Sequence, residues 1–280
     1  AMEAPLMHMW TAIYEELVAQ HGANSTGACL LRSITPATFA GFETAEQRLS
    51  SPSATIGEFM KQLGYSGIDS SDDLGNPPLL WAVVSGSMDH VREFVWARPE
   101  ALHARNAQDW SLLMQGVHRS PSEFGELLML DNGLRDVKEL NHASVSGITA
   151  VDRAAKDGFH ENLRTLMQLK AAVDPCRKED GATPLMSAAS AGYATCCQVL
   201  IDFRANINAI DSNGQTALHL AVGHPVVYSG NADRNGRTEV IDVLLRASAD
   251  AGVVDNQGRT PLQLAAKIGA PFDPSALCAR

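Results

Sequence analysis

Asp211-Ser-Asn-Gly214-Gln-Thr216-Ala-Leu218-His219-Leu-Ala221 decides how this chain folds, because its core phrase, Gly-x-Thr-(Pro/Ala)-Leu, occurs twice more. The other two copies are Gly181-Ala-Thr-Pro-Leu185 and Gly258-Arg-Thr-Pro-Leu262. Gly181 and Gly214 are 33 residues apart, and Gly258 lies 44 beyond Gly214, one period plus 11 residues. A repeat of this length builds a stack of small units that share one elongated core. The functional question therefore concerns a binding surface rather than a catalytic pocket.

The period extends upstream once the wording is relaxed. Gly147-Ile-Thr149-Ala-Val151 lies 34 residues before Gly181, and Ala154-Ala155 follows it as Ala188-Ala189 follows Gly181. Gly75-Asn-Pro-Pro78-Leu79 with Trp81-Ala82 gives another copy. Asp109-Trp-Ser-Leu-Leu113 stands 34 after Gly75 without the glycine and is the weakest. From Asp109 to Gly147 the distance is 38, so one short loop of excess is expected there.

Each recurring residue has a physical task. Glycine at a hairpin end adopts positive φ without a Cβ clash. Threonine followed by proline opens a helix: the hydroxyl accepts from a free N–H, and proline lacks the N–H that would go unpaired. Alanine pairs let two short helices approach closely. Leu185, Leu218 and Leu262 are expected to fill the seams between units, each burial contributing about 1.5–3 kcal/mol.

These residues closely resemble the ankyrin repeat, Asp-x-x-Gly-x-Thr-Pro-Leu-His-x-Ala-Ala-x-x-Gly followed by a second helix that ends near Gly-Ala-Asp-x-Asn. The second half is matched by Val199-Leu200-Ile201 with Ala205-Asn206-Ile207-Asn208, and by Val243-Leu244-Leu245 with Ala249-Asp250. Six copies begin near Asp72, Asn106, Ser144, Lys178, Asp211 and Asp255, about three quarters of the chain. The resemblance implies an all-α fold, an ankyrin-repeat α-solenoid with short β-hairpin or turn tips. It implies a structural role for His219, whose ring in this family bonds the neighbouring hairpin backbone. It also implies a protein partner, bound at the hairpin tips and concave inner helices.

The variable slots of that family fall here on Trp110, His118 and Arg119; Ile148, Lys156 and Asp157; Glu179, Asp180 and Ser190; Ser212, Asn213, Gln215 and His224; and Arg259. Trp110 has two readings at this stage, a tip contact for the partner or an inward patch on a repeat that lacks its glycine. Between Ala221-Val-Gly-His224 and Gly236, residues 225–235 interrupt the period and are expected to form a functional or mobile loop. Its apolar Val226, Val227 and Tyr228 either dock on the neighbouring repeat or contact the partner.

Residues 1–71 lack the repeat and are expected to be a helical N-terminal cap, with the repeats at 72–270 and a cap or truncated end at 271–280. Met7, Trp10, Tyr14, Leu17 and Val18 share one helical face. That helix and the loop behind it are, as a second reading, a partner-binding element or an intramolecular ligand. Thr55-Ile-Gly-Glu58 reads as a capping box opening a short helix through Leu63, stopped by Gly64. Ile56, Phe59, Met60 and Leu63 would cover the apolar end of the first repeat.

Composition narrows the function. Net charge is −10 with no block of Lys or Arg, which argues against nucleic acid or an anionic membrane as the main partner. Apolar runs fall short of the ~20 residues of a membrane span. Five cysteines without metal-type pairing fit a reducing, cytoplasmic or nuclear compartment, with Cys196-Cys197 as small buried hydrophobes rather than a redox pair. Gly230 to Thr238 is one residue too long for a phosphate loop, and Gly64-Tyr-Ser66-Gly67 lacks the spacing of a nucleophile elbow. No catalytic, metal or cofactor constellation is expected. The leading expectation is a monomeric, non-catalytic interaction scaffold. The alternative, a targeting or regulatory arm of a larger enzyme or channel, stays open because position 1 is not Met and the chain stops at Ala279-Arg280.

Overall fold

In the computed structural model the described residues are 56–268, apart from 69, 74, 86 and 224–233. Two compact units divide the chain between Ala101 and Leu102.

The first unit carries α1 (Ile56–Gln62), α2 (Pro78–Ser85) and α3 (Met88–Ala97). The sequence placed α1 to within a residue, and Gly64 stops it at φ +80°. Thr55, the cap of that helix in the sequence reading, lies outside the described residues, as does the whole Met7–Val18 segment. Phe59 is fully buried, its ring centroid 5.0 Å from His90 and 6.1 Å from Phe94, so α1 does pack on the outer helix of the first repeat. Asp72 closes the first tip. Its carboxylate accepts from Asn76 N–H at 2.8 Å, the Asn76 amide at 2.9 Å and the Trp81 indole at 2.8 Å.

The second unit stacks helix pairs: α4 (Leu112–Gly116) with α5 (Pro121–Leu130), α7 (Ala150–Asp157) with α8 (His160–Gln168), and α9 (Pro184–Ala191) with α10 (Ala194–Asp202). Then come α11 (Ala217–Gly223) with α12 (Arg234–Arg246), and α13 (Pro261–Ile268). The inner helices α4, α7, α9, α11 and α13 pack each on the next, and α5, α8, α10 and α12 do the same behind them. The excess between Asp109 and Gly147 is not a plain loop. It forms a 3-10 turn (Asn132–Arg135) and the single-turn α6 (Val137–Leu140).

Tips are turns rather than paired strands; among the described residues the one isolated bridge joins Ala143 and Thr149. Each tip puts one residue in the left-handed region: Gly75, Gly147, Gly181, Gly214 and Gly258 at φ between +69° and +87°. In the weak second copy Asp109 takes the place at φ +63°. Aspartate is among the few non-glycine residues that visit this region routinely, so the missing glycine does not break the unit.

Three connections hold the stack in register. Tip carbonyls of Gln108, Ser146, Asp180 and Asn213 accept from the next tip's N–H at Val145, Lys178, Ser212 and Asn256, at 2.8–3.1 Å. Side-chain oxygens of Asn141, Asp174 and Asn208 accept from Ala172, Asn206 and Asp250 N–H one repeat on. Fully buried His219 accepts at Nδ1 from Thr216 N–H (3.2 Å) and donates from Nε2 to the Arg259 carbonyl (3.0 Å), the structural role the resemblance implies.

The seams are filled by Leu185 and Leu218, both buried, and by Cys196 and Cys197, fully buried as small hydrophobes. Burial pushes the Cys196 thiol up to about 12. Leu262, expected in the same seam, is only half-buried. The stretch 225–235 that interrupts the period does not end where the sequence placed it. Helix α12 already begins at Arg234, so the last two of those residues belong to the helix, and residues 225–233 lie outside the described set.

Two residues beyond the ends of outer helices α8, α10 and α12 stand Lys170, Arg204 and Ser248, at φ +66°, +69° and +68°. These occupy the place of the glycine in Gly-Ala-Asp. Left-handed backbone costs a residue with a Cβ roughly 1–2 kcal/mol, part of which glycine returns as unfolded-state entropy. Replacing all three by glycine is expected to raise unfolding stability by about 1–2 kcal/mol in urea titrations. A loss of stability would show that their side chains hold the stack.

Candidate protein-binding surface

The inner face of the second unit begins with an interior cluster rather than a row of open side chains. Trp110 follows Asp109 directly. With Asp109 in the left-handed region and Asn106 Oδ1 accepting from Trp110 N–H at 2.9 Å, the indole is turned inward and is 6% exposed. This corrects the tip-contact reading of Trp110. The Arg153 guanidinium lies 4.6 Å above the indole centroid, a cation–π stack that removes both from water.

Arg153, itself 5% exposed, needs a counter-charge. It finds one a turn later on α7: Nε is 2.6 Å from Asp157 Oδ2. That same oxygen is 2.8 Å from His118 Nε2, and the His118 ring meets Phe159 edge-on at 5.0 Å. Burial pushes the Asp157 carboxyl up, but the charge of Arg153, the hydrogen bond and charge of His118, and the charge of Lys156 outweigh it and hold it at about 2. Beside this group Asn162 donates to the carbonyls of Val117 (2.8 Å) and Arg119 (2.7 Å), stitching α8 to the end of α4. Arg119 pairs with Glu123 at 3.0 Å.

The structure thus brings Trp110, His118, Arg119 and Asp157 together, but as a junction between repeats. Arg153, Asn162 and Phe159 belong to the junction and were not singled out in the sequence. Arg153 had a readable signal: its slot holds Ser187, Leu220 and Leu264 in later repeats, so a charge there is out of pattern. One residue earlier, Asp152 fills the slot of His219. Burial raises its carboxyl, opposed by the Arg177 charge and by a hydrogen bond from the Ser187 hydroxyl at 2.6 Å.

The remaining slots are more open. Asp180 accepts from Arg177 at 2.7 Å and from Ala182 N–H, and Arg259 pairs with Asp255 at 2.6 Å, so both charges are satisfied within their own tips. Lys156, Glu179, Ser212 and Asn213 are exposed; Ile148, Ser190 and Gln215 are half-buried. His224 and Tyr228 lie outside the described residues. Exposed apolar side chains also stand on the tips, at Val145, Ile210 and Val254.

Comparison with known proteins agrees with this geometry. A family model described as ankyrin repeats, in three copies, matches residues 151–228, and a single-repeat model matches residues 213–256. The B-cell lymphoma 3 protein homolog of Mus musculus is 28% identical over 204 residues, covering 73% of this chain and 43% of that protein. The solved ankyrin repeat domain of Bcl-3 aligns with a TM-score of 0.56 at 23% identity, over 80% of this chain and 89% of that one.

Residues 151–256 of this chain are ankyrin repeats.

Human Rabankyrin-5 matches the ankyrin region more narrowly, 36% identical over 110 residues, 31% of this chain and 9% of that protein. The chain spans less than half the length of these curated relatives. The Bcl-3 likeness shows the ankyrin fold alone. Among the described residues no helix is long and apolar enough to cross a membrane, and no group of three or more His, Cys, Asp or Glu is placed to hold a metal ion.

Proposed function

We propose that the chain is a non-catalytic interaction module that holds a protein partner against its tips and inner helices. The observation that carries this reading is the division of labour within the tips. Four backbone hydrogen bonds lock successive tips to one another, so the residues between them are presented on a fixed frame. The side chains on that frame differ from repeat to repeat and stay exposed, among them Ser212, Asn213 and Glu179. A fixed frame removes the entropy cost of ordering loops on association. Among the described residues three cysteines are free, two of them buried, which fits a reducing compartment, the cytoplasm or nucleus.

The test separates this face from the outer one. Ser212→Arg with Gln215→Arg should abolish capture of specific proteins from a cell extract, read by mass spectrometry. Gln198→Arg, on the exposed side of α10, should leave the captured set intact. If all three forms retain the same proteins, the tips and inner helices are not the binding face.

A further inference from the structure

We infer that the tips of the fifth and sixth repeats form a docking strip for an uncharged, extended segment of a partner protein carrying apolar side chains about three residues apart; this rests on the interaction reading above. Ile210 and Val254 occupy the same place in consecutive repeats, just before the residue that opens the tip, and are 59% and 52% exposed. Nothing in the turn requires an apolar residue there, since the turn is closed by Asp211 and Asp255 through their own main chain and carboxylates. Two exposed β-branched side chains repeated in register mark a contact surface.

The surroundings say what kind of contact. The exposed side chains on these two tips are Ser212, Asn213, Asn256 and Gln257, all uncharged. The acidic groups are occupied: Asp211 Oδ1 accepts from Asn213 and Gln215 N–H, and Asp255 accepts from Gln257 and Arg259 N–H and from the Arg259 guanidinium. An anionic partner group pressed here would lose water without gaining a counter-ion, because Arg259 is already paired with Asp255, and a cationic one would find only Asp211, whose Oδ1 already accepts two main-chain N–H bonds. Side-chain amides instead both donate and accept, which suits the N–H and C=O groups of a peptide backbone. The charged tip side chains, exposed Lys178 and Glu179, stand one repeat away and bound the strip on that side.

Spacing fixes the register. Packed helices of adjacent units lie about 8–10 Å apart, and an extended segment in the polyproline II conformation advances about 3.1 Å per residue with three residues per turn, so its i and i+3 side chains share one face about 9 Å apart. Apolar residues at i and i+3 of the segment therefore reach Ile210 and Val254 in turn.

Selection of random twelve-residue peptides displayed on phage against the full chain tests this directly. The expected winners carry apolar residues at i and i+3 with no charge between them. A synthetic winner should bind, by fluorescence polarisation, at least about tenfold more weakly to the Ile210→Asp/Val254→Asp variant. Its affinity should change less than about twofold between low and high salt, because no ion pair is made. Both positions are exposed, so the variant's thermal melt should match the parent. Winners rich in charge, or binding indifferent to the double substitution, overturn the strip while leaving an interaction module elsewhere on the face. A selection that enriches nothing overturns both.

Discussion

Asp157→Ala is expected to lower unfolding stability by about 3 kcal/mol at neutral pH, although Asp157 is only the last residue of its helix. The loss comes from what remains. Arg153 would keep its buried place over Trp110 with no carboxylate at Nε, and removing one partner of a largely buried ion pair costs roughly 3–5 kcal/mol. Protonation gives an independent measure. Asp157 titrates at about 2 in the folded chain, against about 3.9 for an unfolded aspartate. A folded value below the unfolded one means stability that is fully present above about pH 4 and lost as pH falls through about 2. Converted at 1.36 kcal/mol per unit, the difference is about 2.5 kcal/mol, in line with the mutational figure. Urea titrations of parent and variant should therefore converge as pH drops from 7 toward 2. A gap that is the same at pH 7 and pH 2.5 would mean that the ion pair is not what Asp157 contributes.

Gly147→Ala and Gly258→Ala should differ by about 2 kcal/mol, though both glycines hold the same place in their tips, in the left-handed region. The backbone strain is common to both, roughly 1–2 kcal/mol. The difference is space. A Cβ on Gly147 would stand 2.6 Å from Lys178 N and 3.1 Å from Lys178 Cγ, while one on Gly258 meets nothing within 4 Å. Lys178 N cannot retreat without losing its hydrogen bond to the Ser146 carbonyl. Gly147→Ala is thus expected to cost about 3 kcal/mol and Gly258→Ala about 1. Equal losses would show that the clash is relieved without cost.

The repeat starts were legible because their first residue has a fixed task. Asp72, Asn106, Ser144, Asp211 and Asp255 each close the turn with a side-chain oxygen that accepts from the N–H four residues on. Lys178 cannot do this, and Arg177 with Asp180 does it differently, yet Gly181 still marked the copy. The slots were legible too, in the sense of where each Cα sits. Side-chain direction was not. A tip slot gives no rotamer for Trp110, and its inward turn depends on Arg153, a residue 43 positions away in sequence. The boundary of α12 was missed because Arg234 and Asn235 carry no helix-start signal.

The ties between tips and between side-chain oxygens and the next repeat all join nearest neighbours, and this makes the chain insensitive to counting. Asn208 reaches Asp250 and the Asn213 carbonyl reaches Asn256 N–H across an interval 11 residues longer than its predecessor, yet with the same kinds of bond as elsewhere. Register is re-established at every unit instead of being inherited from the last, so an error in length stays where it arises. Added sequence between an inner and an outer helix is therefore a change that the architecture can accumulate without correction elsewhere. New surface can be acquired there one repeat at a time, while the old surface keeps its geometry.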